Sequence, residues 1–372
     1  MAARKIAYLS PMYFDAGSYI GGGERFPTNL ARGVAESAGG RYEVEILSFS
    51  DASSVRRLAP GVTLRLLTTA GRPANPLDVV SWELPEAVSG ADLVHIHQAY
   101  NRCAEVGLLI AKQQRKPVCV TDHGGISSPL VKQLGLLDLA DRVIAYSNFG
   151  ASLYRTSAPV TIIKGGVDAS GFTPADTPVE RDRVLYVGRL LPHKGVDRLI
   201  EALPADLPLT VCGRPYHAAY YERLISLASG KRVEFVTDAD DARVLDLYRR
   251  AWVNVLPSVH IDCYGVAHEA PELMGFTLLE AMACGTPAVC SRVAAMPEFV
   301  REGVTGFVFD DLPGLADRLR RLATEPGLAD RMGRQGRLAV EREFDYRVAG
   351  AKLRDVYEDL IGAGALGSEK AA

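Results

Sequence analysis

Short apolar runs alternate with helical patterns from one end of the chain to the other. In a parallel sheet covered by helices on both faces, each strand is a continuous apolar run and the helix after it leads to the next strand. Six runs of this kind lie in the N-terminal half: KIAYLS, YEVEILSF, DLVHIHQ, PVCVTDHG, RVIAYS and VTIIKGG. Segments 24–37, 102–114, 130–139 and 148–156 are predicted helices between several of them. The pattern predicts a doubly wound α/β unit with mostly parallel strands.

The alternation begins again after GFTPADTPVERD, a stretch that contains proline and aspartate. The later runs are RVLYVGR, LPLTVCGR, RVEFVT, VNVLPS, TPAVC and GFVFD. A chain of 372 residues is long for one core, which favours two domains. We therefore predict an N-terminal domain over 1–170, a linker over 171–182 and a C-terminal domain over 183–345. The last predicted helix, 346–362, has a helical apolar period.

The charged residues nearly balance, with 42 Lys and Arg against 45 Asp and Glu. This balance argues against a nucleic-acid-binding protein and against a surface strongly attracted to membranes. MAARKIAYLS leads directly into a strand, and no apolar run approaches the ~18 residues of a transmembrane segment. We expect a cytoplasmic protein. The six cysteines form no CxxC pair, which favours reduced core residues over disulfides or zinc ligands.

Glycines precede the first predicted helix, in the loop SPMYFDAGSYIGGGERF. Ligands of doubly wound sheets bind beyond the carboxyl ends of the strands, where this loop lies. At Gly21, Gly22 and Gly23 the backbone N–H groups could approach an anion at the helix N-terminus. The loop lacks the G-x-G-x-x-G spacing of a dinucleotide fold, and a purely structural loop is an equal alternative.

Two cations follow the first strand of the C-terminal half, in RVLYVGRLLPHKG. Arg189 lies just beyond the strand, and Lys194 lies before the next helix. Such a pair suits a diphosphate, because Arg forms forked hydrogen bonds and Lys acts as a point charge. Taken alone, the motif fits a pair of surface cations better.

Glu272 and Glu280 flank an apolar stretch in ELMGFTLLEAMACGTPAVC. Gly275 interrupts the helical pattern between them, so we expect Glu280 inside a helix and Glu272 in the loop before it. The first helical amides would point back over the strand ends without partners in the helix. They belong to Phe276, Thr277 and Leu278. Amides suit phosphate oxygens and carboxylates suit hydroxyls, which predicts a nucleotide sugar as ligand; two solvated glutamates are the simpler alternative.

Several motifs appear in order along the chain: GGGER, GRLLPHKG, KGGVD, the E-x7-E pair and EAMACGTPAVCSRVAAMPEFVREGVTGFVF. Together they resemble the retaining glycosyltransferases of the GT-B fold, in glycosyltransferase family 4, also called group 1. The resemblance covers nearly the whole chain and is most specific from Glu272 to Phe309. It implies an α/β fold of two doubly wound Rossmann-like domains that face a central cleft. The C-terminal helix would cross back to the first domain.

The resemblance also implies residue roles. Arg189 and Lys194 would bind the donor diphosphate. Glu280 would bind the ribose hydroxyls, and Glu272 the transferred sugar. His123, in TDHGG, would face the sugar and the reacting centre, which gives an expected catalytic set of His123, Arg189, Lys194 and Glu272. The expected donor-binding set is Gly22, Gly23, Gly213, Arg214, Gly275, Phe276, Thr277, Leu278 and Glu280.

The chain departs from the family pattern at three places. The loop after the strand that ends in VCGR reads GRPYHAAY instead of Gly-Asp-Gly-Pro, and Ala294 and Ala295 replace a common glycine pair. An extension, VHIDCYGVAHEAP, runs from Val259 to Pro271. We expect a loop that shapes the cleft rather than a zinc site, because zinc ligands usually have tighter paired spacings. The candidate ligands there are His260, Asp262, Cys263 and His268.

Two further patterns have structural explanations. Asp238 and Asp240 form a D-x-D pattern of the kind that binds metal in another glycosyltransferase fold. Here it precedes a predicted helix, where Asp caps the N-terminus, so we expect neither a metal nor a cofactor. His95 and His97, in VHIHQ, are expected to divide, one packing in the core and the other reaching the cleft.

The motifs predict transfer of a sugar from a nucleoside diphosphate sugar, UDP-sugar by default, with retention of configuration. No protein nucleophile is evident, which favours a metal-independent front-face substitution. The near-neutral N-terminal half favours a small soluble acceptor over a lipid. The alternatives are a nucleotide-sugar epimerase or hydrolase of the same fold, and a non-catalytic nucleotide-sugar binding protein.

Overall fold

The computed structural model describes residues 3–11, 22–71, 73, 75–124 and 130–369. The chain forms two compact units. Unit 1 comprises Met1–Gly166 and Tyr346–Ala372, and unit 2 comprises Val167–Asp345. Each unit contains one sheet of mainly parallel strands with helices between them, as the alternation predicts. The linker predicted over 171–182 and the domain limits around it stay a prediction.

Unit 1 is built on an eight-stranded sheet. Its strands are β1 (Arg4–Leu9), β2 (Tyr42–Ser50), β3 (Ser54–Ala59), β4 (Val62–Thr68), β5 (Leu93–His97), β6 (Val118–Thr121), β7 (Arg142–Ala145) and β8 (Val160–Ile162). They lie in the order β3-β4-β2-β1-β5-β6-β7-β8. All neighbours are parallel except β3 and β4, an antiparallel hairpin at the sheet edge. The central strands β5 and β6 are buried along their whole length, as continuous apolar runs predict.

Helices connect the parallel strands of unit 1. Those before unit 2 are α1 (Gly22–Ser37), α2 (Leu84–Ser89), α3 (Arg102–Gln113), α4 (Leu130–Gln133) and α5 (Asn148–Leu153). The prediction of one helix over 130–139 was wrong. Gly135 has a φ of +62°, which a right-handed helix does not allow, so α4 ends before it and a 3-10 turn follows over Leu136–Leu139.

Unit 2 is built on a fully parallel six-stranded sheet in the order β11-β10-β9-β12-β13-β14. Its strands are β9 (Arg183–Val187), β10 (Leu209–Cys212), β11 (Val233–Val236), β12 (Ala251–Leu256), β13 (Ala288–Ser291) and β14 (Gly306–Phe309). Its helices are α6 (Val196–Ala202), α7 (Ala218–Leu227), α8 (Asp241–Arg250), α9 (Phe276–Ala283), α10 (Leu312–Thr324) and α11 (Leu328–Ala339).

The C-terminal helix, α12 (Tyr346–Glu369), belongs to unit 1, as the resemblance implied. It packs on α1 through two glycines. A Cβ atom at Gly33 would lie 2.3 Å from the carbonyl oxygen of Tyr346, and one at Gly350 would lie 2.3 Å from the carbonyl carbon of Gly33. Real Cβ atoms do not approach backbone so closely, so the two helices touch backbone to backbone where only glycine fits.

Candidate active site

In unit 2, the loops at the carboxyl ends of β9, β10 and β12 are tied together. The amide of Leu190 donates to the carbonyl of Arg214 at 2.9 Å, which joins the β9 loop to the β10 loop. The amide of Val259 donates to the carbonyl of His193 at 2.9 Å, which joins the β9 loop to the β12 loop. The loop that carries Arg189 and Lys194 is therefore fixed on both sides.

Lys194 and Glu272, both in the expected catalytic set, form an ion pair. The Lys194 Nζ atom donates to Glu272 Oε1 at 2.5 Å, and each side chain is only 11% exposed. The Ser258 hydroxyl donates to the same oxygen at 3.2 Å. Gly195, with φ +66°, permits this loop to turn, because a Cβ there would lie 2.1 Å from the Pro257 carbonyl oxygen. Lys194 and Glu272 were predicted to bind different parts of a donor. In this structure each is the counterion of the other.

Arg189 differs from Lys194 in exposure. Its side chain is exposed, and its carbonyl accepts a hydrogen bond from the Tyr186 hydroxyl at 2.9 Å. Between the two cations, burial and the charge of Lys194 lower the pKa of His193 to about 3, so this imidazole is neutral. The site thus offers one exposed and one buried cation at the carboxyl end of β9.

Helix α9 begins at Phe276, directly after Gly275, which has φ +75° and ψ +55°. This left-handed conformation turns the chain from the loop of Glu272 into the helix, as the glycine predicts. One prediction about the amides was wrong. The amide of Leu278 donates to the carbonyl of Gly275 at 3.0 Å, because the first turn closes on itself, so this amide already has a partner. The Thr277 carbonyl accepts from Asn254 Nδ2 at 3.2 Å, which anchors the helix to β12.

Glu280 lies inside α9, as predicted, and is only 4% exposed. The Tyr248 hydroxyl of α8 donates to its Oε2 at 2.9 Å. Burial and the Glu280 charge raise the pKa of Tyr248 well above its usual value, so the phenol stays a donor. Sequence reasoning missed Tyr248, although the apolar period of DARVLDLYRRA places Leu247 and Tyr248 on the buried face of α8.

The β10 loop begins with Gly213, where a Cβ would lie 1.8 Å from the Gly188 carbonyl oxygen. The glycine therefore lets the β9 and β10 loops meet, and donor binding by Gly213 and Arg214 stays a prediction.

Ala294 has a φ of +51°, a conformation that favours glycine. The chain thus keeps the backbone of a glycine at this family position despite the added Cβ atom.

The extension folds back on itself as a small hairpin. Ile261 and Ala267 form an antiparallel bridge. Asp262 accepts the amide of Tyr264 at 2.9 Å and the Nε2–H of His268 at 2.8 Å. Among the described residues, no group of three or more His, Cys, Asp or Glu is arranged to hold a metal ion. Asp262 and His268 instead hold the hairpin closed.

Two ring contacts join the extension to neighbouring loops. The His268 ring lies 4.9 Å from that of His193, next to Lys194. The Tyr264 ring stacks on His217 of the β10 loop at 5.6 Å and 26°. The extension therefore spans the loops after β9 and β10, and it braces the segment that carries Lys194.

The D-x-D pattern is explained by capping at Asp240. Its Oδ1 atom accepts the amide of Arg243 at 2.8 Å and so caps the N-terminus of α8. This confirms the interpretation of Asp240 as a helix cap.

The unit 1 candidates are placed in part. Gly22 and Gly23 begin α1, and residues 12–21 of their loop lie outside the described residues. His123 follows β6 and is half-buried. Its Nε2 lies 3.2 Å from His97 Nδ1, and the Tyr146 hydroxyl contacts its Nδ1. Burial lowers the pKa of His123 to about 3, so the ring is neutral.

The prediction that His95 and His97 divide between core and cleft was wrong. Both are buried, and their rings stack at 4.3 Å and 29°. Residues two apart on a strand point to the same face, so the period of the strand already required this.

Comparison with known proteins identifies both halves of the chain. Residues 173–339 match the family described as Glycosyl transferases group 1, and residues 20–170 match Glycosyltransferase Family 4. A D-inositol 3-phosphate glycosyltransferase from Streptomyces bingchenggensis is 28% identical, with 96% of this chain and 90% of the relative covered. A protein of the same name from Thermobifida fusca is also 28% identical, over 88% and 86% of the two chains.

Solved structures share the fold. A sucrose-phosphate synthase from Thermosynechococcus elongatus has a TM-score of 0.73 at 23% identity, with 97% of this chain and all of that one covered. HepE of Anabaena, in complex with UDP and glucose, has a TM-score of 0.72 at 18% identity, over 96% and 100% of the chains. Within the described residues, no helix combines the length and apolar character needed to cross a membrane. The family matches, the relatives and the fold agree, and this chain belongs to the group 1, family 4 glycosyltransferases of the GT-B fold.

Proposed function

We propose that the protein transfers a sugar, with retention of configuration, from a UDP-sugar to a small hydroxylated acceptor. The observation that carries the proposal is the largely buried pair of Lys194 and Glu272 at the strand ends of unit 2. A cation and a carboxylate side by side match the phosphate and hydroxyl groups that a nucleotide sugar carries next to each other.

The donor diphosphate would bind to Arg189 and Lys194. Arg189 is exposed and offers a forked donor, whereas Lys194 is held by Glu272 until phosphate oxygens compete for it. Positive charge at a departing diphosphate stabilises the transition state more than the ground state, since negative charge develops there as the bond breaks. These two residues would therefore provide most of the electrostatic stabilisation of the departing diphosphate.

The ribose would bind to Glu280, whose carboxylate is oriented by Tyr248. A carboxylate accepts hydrogen bonds from a diol and repels phosphate, so Glu280 suits the sugar of the nucleoside rather than the diphosphate. Glu272 would then accept from hydroxyls of the transferred sugar, and His123 would act at the sugar and the reacting centre.

Front-face substitution fits the state of Glu272. In the proposed complex this carboxylate accepts from Ser258 and from hydroxyls of the transferred sugar, which makes it a poor nucleophile for a double displacement. In the proposed step, the bond from the anomeric carbon to the diphosphate oxygen breaks while the bond to the acceptor oxygen forms on the same face. The acceptor proton passes to the departing diphosphate oxygen.

The comparisons support the two substrates to different degrees. HepE, which shares the fold, was solved with UDP, with UDP-glucose and with UDP and glucose, which supports UDP as the carrier. The relatives named for D-inositol 3-phosphate support a small polyol as acceptor, since they align over most of this chain.

A thermal-shift screen of UDP, GDP, dTDP and ADP, each with its sugars, tests the donor. A ligand at a hundred times its dissociation constant adds ~2.7 kcal/mol of stability, so the bound nucleotide stands out. Transfer to inositol and inositol 3-phosphate is then followed by proton NMR, which reads the anomeric configuration of the product. Binding of GDP or ADP in preference to UDP would contradict the donor, and an inverted product would contradict the stereochemistry.

A further inference from the structure

Three histidine rings lie in a row in unit 1. His95 and His97 belong to β5, and His123 follows β6. His97 stacks on His95 with the ring centroids 4.3 Å apart, and the ring planes of His97 and His123 differ by only 11°, with their centroids 5.3 Å apart. His123 is half-buried, whereas His97 is 1% exposed. His97 is therefore the hidden neighbour of the ring that the proposed function assigns to the sugar.

The hydrogen bonds of this row have a direction. Burial keeps the phenol of Tyr146 protonated by raising its pKa well above the usual value, and a phenol donates more readily than it accepts. Tyr146 thus donates to His123 Nδ1. The neutral His123 ring then carries its one proton on Nε2, which points to His97 Nδ1 at 3.2 Å. His97 in turn carries its own proton on Nε2.

The imidazole of His97 is costly for a core position. Within the described part of the chain its Nε2 has no hydrogen-bond partner, and an unsatisfied buried donor costs roughly 1–3 kcal/mol. A phenyl ring could stack in the same place without that cost. The contact that distinguishes histidine from phenylalanine here is the one from Nδ1 to His123.

The backbone beside this pair is also held tightly. Gln98, directly after His97, has a φ of +81°, which is uncommon for a residue with a side chain. Its Nε2 donates to the carbonyl of Gly124 at 2.5 Å, and its amide donates to the carbonyl of Thr121 at 2.7 Å. The loops after β5 and β6 are thereby clamped on both sides of His123. Such strain collects where side-chain placement matters.

We propose that His97 is a positioning residue that fixes His123 as the tautomer protonated on Nε2, so that Nδ1 is left as a hydrogen-bond acceptor. This inference rests on the proposed function of His123. It specifies the chemistry of the group that His123 meets: a hydroxyl of the sugar or of the acceptor, which can replace the Tyr146 hydroxyl as donor. The ionised diphosphate of the donor, which has only acceptor oxygens, would not fit.

The tautomer can be read directly in the full-length protein. Protein labelled with 15N in the histidine rings gives distinct nitrogen shifts for the protonated and bare positions, and the signals lost in His123→Gln identify His123. We expect a protonated Nε2 and a bare Nδ1. A His123 ring protonated mainly on Nδ1 would overturn the proposal, and this measurement needs no variant of His97.

Two variants of His97 test its role in transfer. His97→Phe keeps the stacked ring and removes the acceptor, so we expect mixed tautomers of His123 and a kcat about tenfold or more lower, with the donor KM within about twofold. His97→Asn places an amide oxygen near the former Nδ1 and should restore kcat to within about threefold of the parent. Tyr357→Phe is the matched control, because it removes a hydroxyl from the opposite end of the row, at His95 Nδ1.

The outcomes separate the inference from the proposed function. Parent-like transfer by His97→Phe, or an Asn variant as poor as the Phe variant, would overturn the positioning role while transfer from a UDP-sugar stands. Parent-like transfer by His123→Ala would overturn the role of His123 itself, and the inference with it. Equal losses in His97→Phe and Tyr357→Phe would show a structural effect of the row and also overturn the proposal.

Discussion

Lys194 Nζ and Glu272 Oε1 lie 2.5 Å apart, and both side chains are 11% exposed. Removing one member of a buried ion pair leaves the other charge without compensation, at a cost of roughly 3–5 kcal/mol. In the proposed function, the donor phosphates would replace Glu272 as the partner of Lys194, and the donor hydroxyls would replace Lys194 as the partner of Glu272. The pair therefore keeps both charges compensated in the absence of a donor.

Lys194→Met should lower kcat/KM by a factor that corresponds to about 2–4 kcal/mol, because it removes a charge that we propose stabilises the diphosphate in the transition state. The variant should also lower the stability of unit 2, since Glu272 is left unpaired. The double variant Lys194→Met, Glu272→Gln should recover the stability and not the activity. Steady-state kinetics and calorimetry check this, with Lys231→Met as the control in the same unit. Turnover at the parent rate would show that Lys194 does not serve the diphosphate.

Glu280→Gln should weaken binding of UDP itself, because it removes the charge that we propose binds the ribose hydroxyls. Glu272→Gln should spare UDP and lower transfer, because its proposed partner is the sugar. Tyr248→Phe removes one hydrogen bond to Glu280 and should weaken UDP by about 0.5–1.5 kcal/mol. Isothermal titration with UDP measures all three. Equal weakening of UDP by both glutamate variants would contradict this division of roles.

Activity should survive EDTA. The charge of the leaving diphosphate is assigned to Arg189 and Lys194, so the proposed reaction has no step that needs a divalent ion. Initial rates with and without the chelator check this. Complete loss of activity, restored by Mg²⁺ or Mn²⁺, would contradict the proposal and would indicate Asp238 and Asp240 as metal ligands.

Shortening the extension, Val259 to Pro271, to a few residues should leave UDP affinity within about tenfold, roughly 1.4 kcal/mol. Transfer should fall sharply or the sugar preference should change, because the hairpin contacts His193 beside Lys194. Kinetics with several UDP-sugars measure this. The variant Tyr264→Ala is a milder control that removes the ring contact with His217 and leaves the length of the extension unchanged. If the shortened protein keeps its rates and selectivity, the extension is a surface insertion of little consequence.

Gly350→Ala should destabilise unit 1 by about 1–3 kcal/mol, because the new methyl group would lie 2.3 Å from the backbone of Gly33. Gly362→Ala is the matched control on the same helix. Beyond its own turn of helix, no atom of the described residues lies within 4 Å of its added Cβ, so it should stabilise α12 by about 0.5–1 kcal/mol. Calorimetry, with hydrogen exchange of α1 amides, distinguishes the two. A Gly350→Ala protein as stable as the parent would show that α1 and α12 can separate at no cost.

Local periodicity was enough to predict most strands, several helices and the mainly parallel character of both sheets, but not the order of the strands. Strand β3 was not predicted, because SVRRLA carries two charges and lacks the continuous apolar run of a central strand. Strand β4 was also missed, although VTLRLLT has the alternating burial of a strand. Gly135 shows a limit of a different kind, since one residue at positive φ divides a segment that otherwise has a helical pattern.

The sequence predicted which residues belong to the candidate site, but not which of them contact one another. Strand ends and a glycine before α9 placed Arg189, Lys194, Glu272 and Glu280 in the right kinds of element. The pairing of Lys194 with Glu272 joins residues 78 positions apart and depends on β9 lying next to β12. Tyr248 was missed for the same reason, because its contact with Glu280 depends on how α8 and α9 pack.

The return of α12 to unit 1 has a consequence for biosynthesis. Unit 2 is one continuous segment, whereas unit 1 needs residues from both sides of it. A ribosome therefore completes unit 2 while the backbone of Gly33 and the hydroxyl of Tyr8 still lack their partners on α12. The first half of the chain emerges first but can complete its fold only after α12 has emerged, so a chain that stops short of Tyr357 would leave unit 1 incomplete and exposed to proteases and chaperones.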